Sequence, residues 1–155
     1  MTEKTYIGAM IKMTSREIEQ NMNQRVTELG LTSAQSHILH YICRNSGSVH
    51  QKDVEKTFDL THATVSGIID RLESKGFLRR ERDRSDGRLI ALCATQKALE
   101  YEDTVHKYIL ESEAQMLRGF TGEEEAALRG YLGRMLENLG FDPQQSCCKK
   151  EAHPC

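Results

Sequence analysis

Residues 79–92 read RRERDRSDGRLIAL, with five arginines inside the ten residues Arg79 to Arg88, in a chain whose formal net charge is -2. Just before this stretch Phe77 and Leu78 lead into alternating charged residues, and just after the charges Ile90 and Leu92 lie two apart on the return. A period of two is the signature of a strand, because successive side chains point to opposite faces. Asp86-Gly87 separates the two runs, and an Asp-Gly pair is a strong hairpin signal because it accepts the positive φ angles that tight turns need. The spacing therefore predicts a β-ribbon with a charged tip. From Arg71 to Ile90 there are seven basic residues (Arg71, Lys75, Arg79, Arg80, Arg82, Arg84, Arg88) and four acidic ones (Glu73, Glu81, Asp83, Asp86), a surplus of +3 that leaves -5 for the remaining chain. A protein acidic overall and basic over one short segment has the electrostatic footprint of a molecule that meets a polyanion through one face.

On either side of the ribbon the period is helical. Ile7, Met10, Ile11, Ile18, Met22, Val26 and Leu29 recur at three-, four- and seven-residue intervals, one apolar stripe on a helix of about six turns that Gly30 ends. Thr32 with Gln35 is a capping-box pattern opening a second helix, which turns Ile38, Leu39 and Ile42 inward and stops at Asn45-Ser46-Gly47. Ser48 with Gln51 repeats the signal for a short third helix carrying Val54 and Phe58. Thr61 caps a fourth, with Val65, Ile68, Ile69 and Leu72 inward and Gly76 at its end. Beyond the ribbon, Thr95 starts a long helix to about Gly119 (Leu99, Val105, Ile109, Leu110, Leu117). Thr121 with Glu124 boxes the next, whose stripe is Leu128, Leu132, Met135, Leu136 and Leu139. Both end helices carry more apolar surface than a small domain can bury alone.

Composition narrows the class. At 155 residues the length suits one domain, the apolar fraction is 38%, and there are 11 glycines, 2 prolines and no tryptophan, the profile of a soluble, helix-rich protein. No run approaches the roughly 18 apolar residues of a membrane span, and MTEKTYIGAM lacks a basic region followed by an apolar run, so a cytoplasmic location is expected. Five cysteines without an export signal argue against a disulfide framework. Neither G-x-S-x-G nor G-x-x-x-x-G-K occurs, so an enzyme is not expected.

The helix that begins Thr61-His62-Ala63-Thr64 has side chains small enough to approach base edges in a major groove, with hydroxyls and amino-terminal N–H groups able to bind phosphate. Arginine on a ribbon tip can enter the narrower minor groove. Taken alone, a charged hairpin is as readily a solvated surface as a ligand site. The order of parts is more specific than any one of them: three short helices, a basic ribbon, then two long apolar helices.

At this point "LTSAQSHILHYI", "QKDVEKTFDLTHATVSGIIDRLESKGFLRRERDRSDGR" and "LIALCATQKA" resemble the MarR (multiple antibiotic resistance regulator) family of bacterial transcription factors. The match runs from about Gly30 to Ala98, and the flanking helices fit it to about Gly140. The resemblance implies a mainly α fold with a small β-hairpin wing. It places a winged helix-turn-helix at residues 31–95 and dimerisation helices at 1–30 and 96–140, which interlock in an intertwined homodimer. Residues 141–155 fall outside it as a Cys-rich tail. The family's Asp-x-Arg-x-x-x-Arg wing is approximated by Asp83-Arg84-Ser85-Asp86-Gly87-Arg88; by resemblance Asp83 pairs with Arg88 and Arg84 is offered to the minor groove. The expected partner is double-stranded DNA with a pseudo-palindromic operator and half-sites on the order of 10 bp apart. The DNA contacts expected on the helix are Thr61, His62, Thr64, Ser66 and Arg71. On the wing they are Arg82, Arg84 and Arg88, braced by Asp83 and Asp86.

The expected activity is transcriptional repression released by a small molecule, a metal or an oxidant. The alternative is a winged-helix module that binds protein and not DNA. No cofactor is required. Cys147, Cys148, His153 and Cys155 place three thiols and an imidazole within nine residues, a candidate soft-metal site or reversible disulfide; a polar end that merely contains cysteine is the simpler alternative. His40 and Cys43, three apart on one helix face, are a second candidate effector, metal or redox pair, against a plain packing role. His106 could join His40, and Cys93 reads as core.

Overall fold

The computed structural model describes residues 6–141. Its elements run α1 (Ile7–Glu28), α2 (Ser33–Arg44), α3 (Gln51–Phe58), α4 (His62–Ser74), β1 (Leu78–Arg82), β2 (Ile90–Ala94), α5 (Gln96–Met116) and α6 (Gly122–Asn138). The chain divides into two compact units, with the boundary after Ile109 inside α5.

In the first unit the predicted inward faces meet. Ile38, Leu39 and Ile42 of α2, Val54 of α3, and Val65, Ile69 and Leu72 of α4 pack with Leu78, Leu92 and Ala98 into one buried cluster. Burying each such side chain contributes about 1.5–3 kcal/mol. Polar groups at the cluster's edge are paired: the Tyr101 hydroxyl donates to Ser36 Oγ at 2.8 Å while its ring meets Phe77 edge-on at 5.5 Å between centroids. Helix ends follow local chemistry. Thr32 and Gln35 form the reciprocal capping box of α2. Gly76 adopts φ 77 after α4, which lets Phe77 N–H reach Leu72 C=O at 2.9 Å and turns the chain into β1. α1 follows its predicted span, but Val26 is its buried residue, and Ile7, Ile11 and Ile18 of the stripe are exposed.

Two local expectations are corrected. The cap of α3 is His50 with Asp53, not Ser48 with Gln51: the Asp53 carboxylate accepts from His50 N–H at 2.8 Å. Ser48 instead donates to Asn45 C=O at 3.0 Å, and Val49, between Ser48 and His50, is drawn into a bridge with Leu92, which places the helix start two residues later. The ribbon pairs antiparallel from Leu78↔Ala94 to Arg82↔Ile90, yet its tip is a loop over residues 83–89, and Gly87 is not at positive φ. The reason is side-chain capping. Asp83 Oδ1 accepts from Ser85 N at 2.7 Å, Ser85 Oγ at 2.6 Å and Asp86 N at 3.1 Å, and Asp86 Oδ1 accepts from Arg88 N at 3.0 Å. With the loop's N–H groups satisfied this way, no tight two-residue turn is needed.

In the second unit, Thr121 and Glu124 close the predicted capping box on α6, and Arg129 Nη2 donates to Glu113 Oε1 at 3.0 Å. No residue of α6 is buried, and Leu110, Leu132, Leu136 and Leu139 are exposed.

Candidate nucleic-acid interface

α4 begins at a Thr61 cap whose Oγ1 accepts from Thr64 N at 3.3 Å and lies 2.9 Å from Thr64 Oγ1. Val65, Ile68, Ile69 and Leu72 pin one side of this helix into the core, which fixes what the other side presents. Thr61, His62, Thr64 and Arg71 are exposed and Ser66 is half-buried. His62 is held in place: its Nδ1 lies 2.7 Å from Glu55 Oε1 and 3.1 Å from Gln51 Nε2, so α3 orients the start of α4, while 78% of the side chain remains exposed.

The arginines of residues 71–88 split into two sets. Arg79 is paired with Glu81 on the same strand, and Arg80 bridges from β1 to Asp70 (2.6 Å) and Glu73 of α4, so both are already paired and Arg80 ties the wing to α4. Arg71, Arg82, Arg84 and Arg88 are exposed and make no ion pair among the described residues. Four cations are thus left for an external anion, from the segment whose overall surplus is +3.

Asp83 braces the wing, though through other partners than the Arg88 pair that the resemblance implied. It is buried, at 8% exposure, and its second oxygen lies 2.8 Å from Nε2 of His50 on the α3 cap. The Ser85 hydroxyl, then the Asp86 and Ser85 amides and His50, hold its carboxyl well below the usual carboxylate range. The sequence reasoning missed His50. The pair is 33 residues apart, and no local pattern marks it.

The sensor candidates divide. His40 Nδ1 lies 2.5 Å from Glu102 Oε2, and that hydrogen bond raises the imidazole pKa. Glu102 Oε1 is buried with no partner among the described residues. Burial, then Glu102, pushes the Cys43 thiol up to about 12, which keeps it protonated and unreactive at neutral pH. Cys93 is buried and donates to Glu81 Oε2 at 3.6 Å. Among the described residues no group of three His, Cys, Asp or Glu side chains is placed to hold a metal. Cys147, Cys148, His153 and Cys155 lie outside the described residues.

Residues 29–89, which span α2 to the wing tip, match the profile of the MarR family. The HTH-type transcriptional regulator YwoH of Bacillus subtilis is 29% identical over 125 residues, 81% of this chain and 89% of YwoH. YwaE, a second HTH-type regulator of B. subtilis, is 26% identical over 93 residues, 60% of this chain; the chain spans about half of YwaE, 54%. Among solved structures, a Staphylococcus aureus MepR variant bound to an oligodeoxyribonucleotide superposes with a TM-score of 0.71 at 25% identity, covering 88% of this chain and 99% of that one. Over residues 29–89 the chain is similar to the MarR family. Its two-stranded hairpin after α2 to α4 is the arrangement of those winged-helix neighbours. No helix among the described residues is long and apolar enough to cross a membrane.

Proposed function

We propose that this protein is a cytoplasmic, sequence-specific DNA-binding regulator of the MarR family that works as a homodimer and represses until a signal releases it. One observation carries the reading: Arg71, Arg82, Arg84 and Arg88 stay exposed and unpaired among the described residues, while the neighbouring Arg79 and Arg80 are neutralised. A folded domain that merely solvated its charges has no reason to lock some arginines to the scaffold and leave others open. The exposed hydroxyls of Thr61 and Thr64 at the start of α4 suit phosphate, and Ser66 and His62 suit base edges. Arg82, Arg84 and Arg88 on the wing suit the minor groove, where the potential is most negative.

The dimer is supported by apolar surface that each unit leaves open: Ile7, Ile11 and Ile18 on α1, and Leu132, Leu136 and Leu139 on α6. Exposed apolar stripes of this extent mark association surfaces. A two-fold pair presents two α4 helices to a pseudo-palindrome. A signal that binds one spacing of the two lobes better than the other shifts DNA affinity by that difference.

The test is a gel shift on the DNA upstream of the protein's own reading frame, at several salt concentrations. Wild type is expected to retain the DNA with a steep salt dependence, and Arg84→Ala to bind more weakly with a slope lower by about one per subunit. No salt-dependent retention by wild type overturns the DNA reading in favour of a protein-binding winged helix.

A further inference from the structure

The hairpin face that points away from α4 borders a cavity of about 280 Å³. Arg80, which reaches α4, and Arg79 and Glu81 on either side of it point to opposite faces of β1, and the register sets Arg79 beside Cys93 and Glu81 beside Ala91. Ala91 and Cys93 form the floor, and the loop through Ser46 and Ser48 forms a wall. Arg82 and Arg84 reach the cavity where β1 ends. The space exists because the floor residues are small; a larger side chain at Ala91 would occupy it.

The cavity's electrostatics favour an anion. Glu81 is the one acidic residue of its lining, and it is already engaged by Arg79 and by the Cys93 thiol. Burial, then Glu81, raises the Cys93 thiol, so the floor carries no thiolate at neutral pH. Arg82 and Arg84 add two guanidinium groups with no ion pair among the described residues. Two such forks offer more donors than a carboxylate's two oxygens can use, whereas a phosphate presents three oxygens and up to two charges. The volume lies at the lower edge of ligand pockets, and Ala91, Ala94 and the Cys93 sulfur provide an apolar contact beside the cations.

We propose that this cavity binds a compact phosphate monoester and that the ligand competes with DNA for Arg82 and Arg84. The binding site stands on the geometry alone; the competition rests on the DNA reading given above. Occupancy withdraws two cations from the wing, and the ligand's own charge repels the phosphate backbone.

The experiment is calorimetric titration of full-length protein with phenyl phosphate, without DNA and at constant ionic strength, for wild type, Arg79→Gln and Ala91→Leu. Arg79→Gln changes an exposed residue outside the expected DNA contacts; circular dichroism confirms the fold of each variant. Wild type is expected to saturate at one ligand per chain. Arg79→Gln, which leaves the Glu81 carboxylate uncompensated in the cavity lining, or filling of the floor in Ala91→Leu, is expected to weaken binding at least about tenfold. Unsaturable heats for wild type, or equal affinity in wild type and a folded Arg79→Gln, overturn the site. Inorganic phosphate binding as tightly as phenyl phosphate overturns the monoester assignment. In the second arm, saturating phenyl phosphate at matched ionic strength is expected to raise the apparent Kd for DNA by about fivefold or more in wild type. An unchanged Kd overturns the competition. Saturable phenyl phosphate binding by a protein that retains no DNA supports the cavity site while overturning the DNA reading and the competition together.

Discussion

Replacing Thr61 separates the structural and the DNA-facing roles of the start of α4. Thr61 Oγ1 supplies the cap of this helix, and the first turn carries no acidic residue. Thr61→Ala removes the acceptor, and because the bond is long and exposed its loss belongs at the lower end of capping costs, about 0.5–1 kcal/mol. For a chain of this length that lowers Tm by about 1–4 °C. Thr61→Asp keeps an acceptor at the cap and adds a carboxylate at the positive end of the helix dipole, so its stability should equal or slightly exceed that of wild type. Affinity for DNA should move the other way. A carboxylate held roughly 5 Å from a phosphate costs about 1 kcal/mol at the dielectric of water and about 3 kcal/mol at the effective value near a protein surface. Each half-site is therefore weakened about five- to a hundred-and-fifty-fold, and a two-fold dimer pays this twice. Thermal denaturation followed by circular dichroism reads the first effect, and fluorescence anisotropy on an operator duplex reads the second. If Thr61→Asp melted with Thr61→Ala, the capping argument would fail; if it bound DNA within twofold of wild type, α4 would not present its amino terminus to phosphate.

Three further outcomes follow from the same geometry. Asp83→Asn should expose the Ser85 and Asp86 amides to faster hydrogen exchange, whereas in wild type their protection should persist as pH falls from 7 to 4, because the depressed Asp83 pKa means its contribution is lost only on crossing that low value; equal exchange in the two proteins at pH 7 would show that Asp83 does not hold the loop. His40→Gln should cost more thermal stability at pH 5.5 than at pH 8: the raised imidazole pKa makes the Glu102 bond contribute fully below the ordinary value of 6.5 and fade as pH rises through the folded value. A difference in Tm that is flat with pH would remove the bond from the stability of the protein. Leu39→Ala, at a fully buried position of α2, should destabilise the fold by about 2–5 kcal/mol in urea titrations, and a cost below about 1 kcal/mol would place Leu39 outside the core.

Period, caps and charge count in the sequence alone determined the element order and the core-facing sides of α2 and α4. They also located the basic segment, because a helix stripe and a capping box are made by residues three or four apart, within reach of local sterics. Which arginines are available was decided only by tertiary structure. Arg79, Arg80, Arg82, Arg84 and Arg88 are alike in the sequence, yet Arg80 is spent on Asp70 and Glu73 while Arg84 has no ion pair among the described residues; that distinction depends on where α4 lies against β1. The wing tip followed the same rule. Asp86-Gly87 pointed to a tight turn, but Asp83 took the loop amides and His50 from 33 residues away, and a contact at that separation is set by the packing of α3 against the ribbon. The outward faces of α1 and α6 mark the opposite limit. Their apolar residues were legible as helical stripes, and only the fold showed that the described residues leave those stripes uncovered.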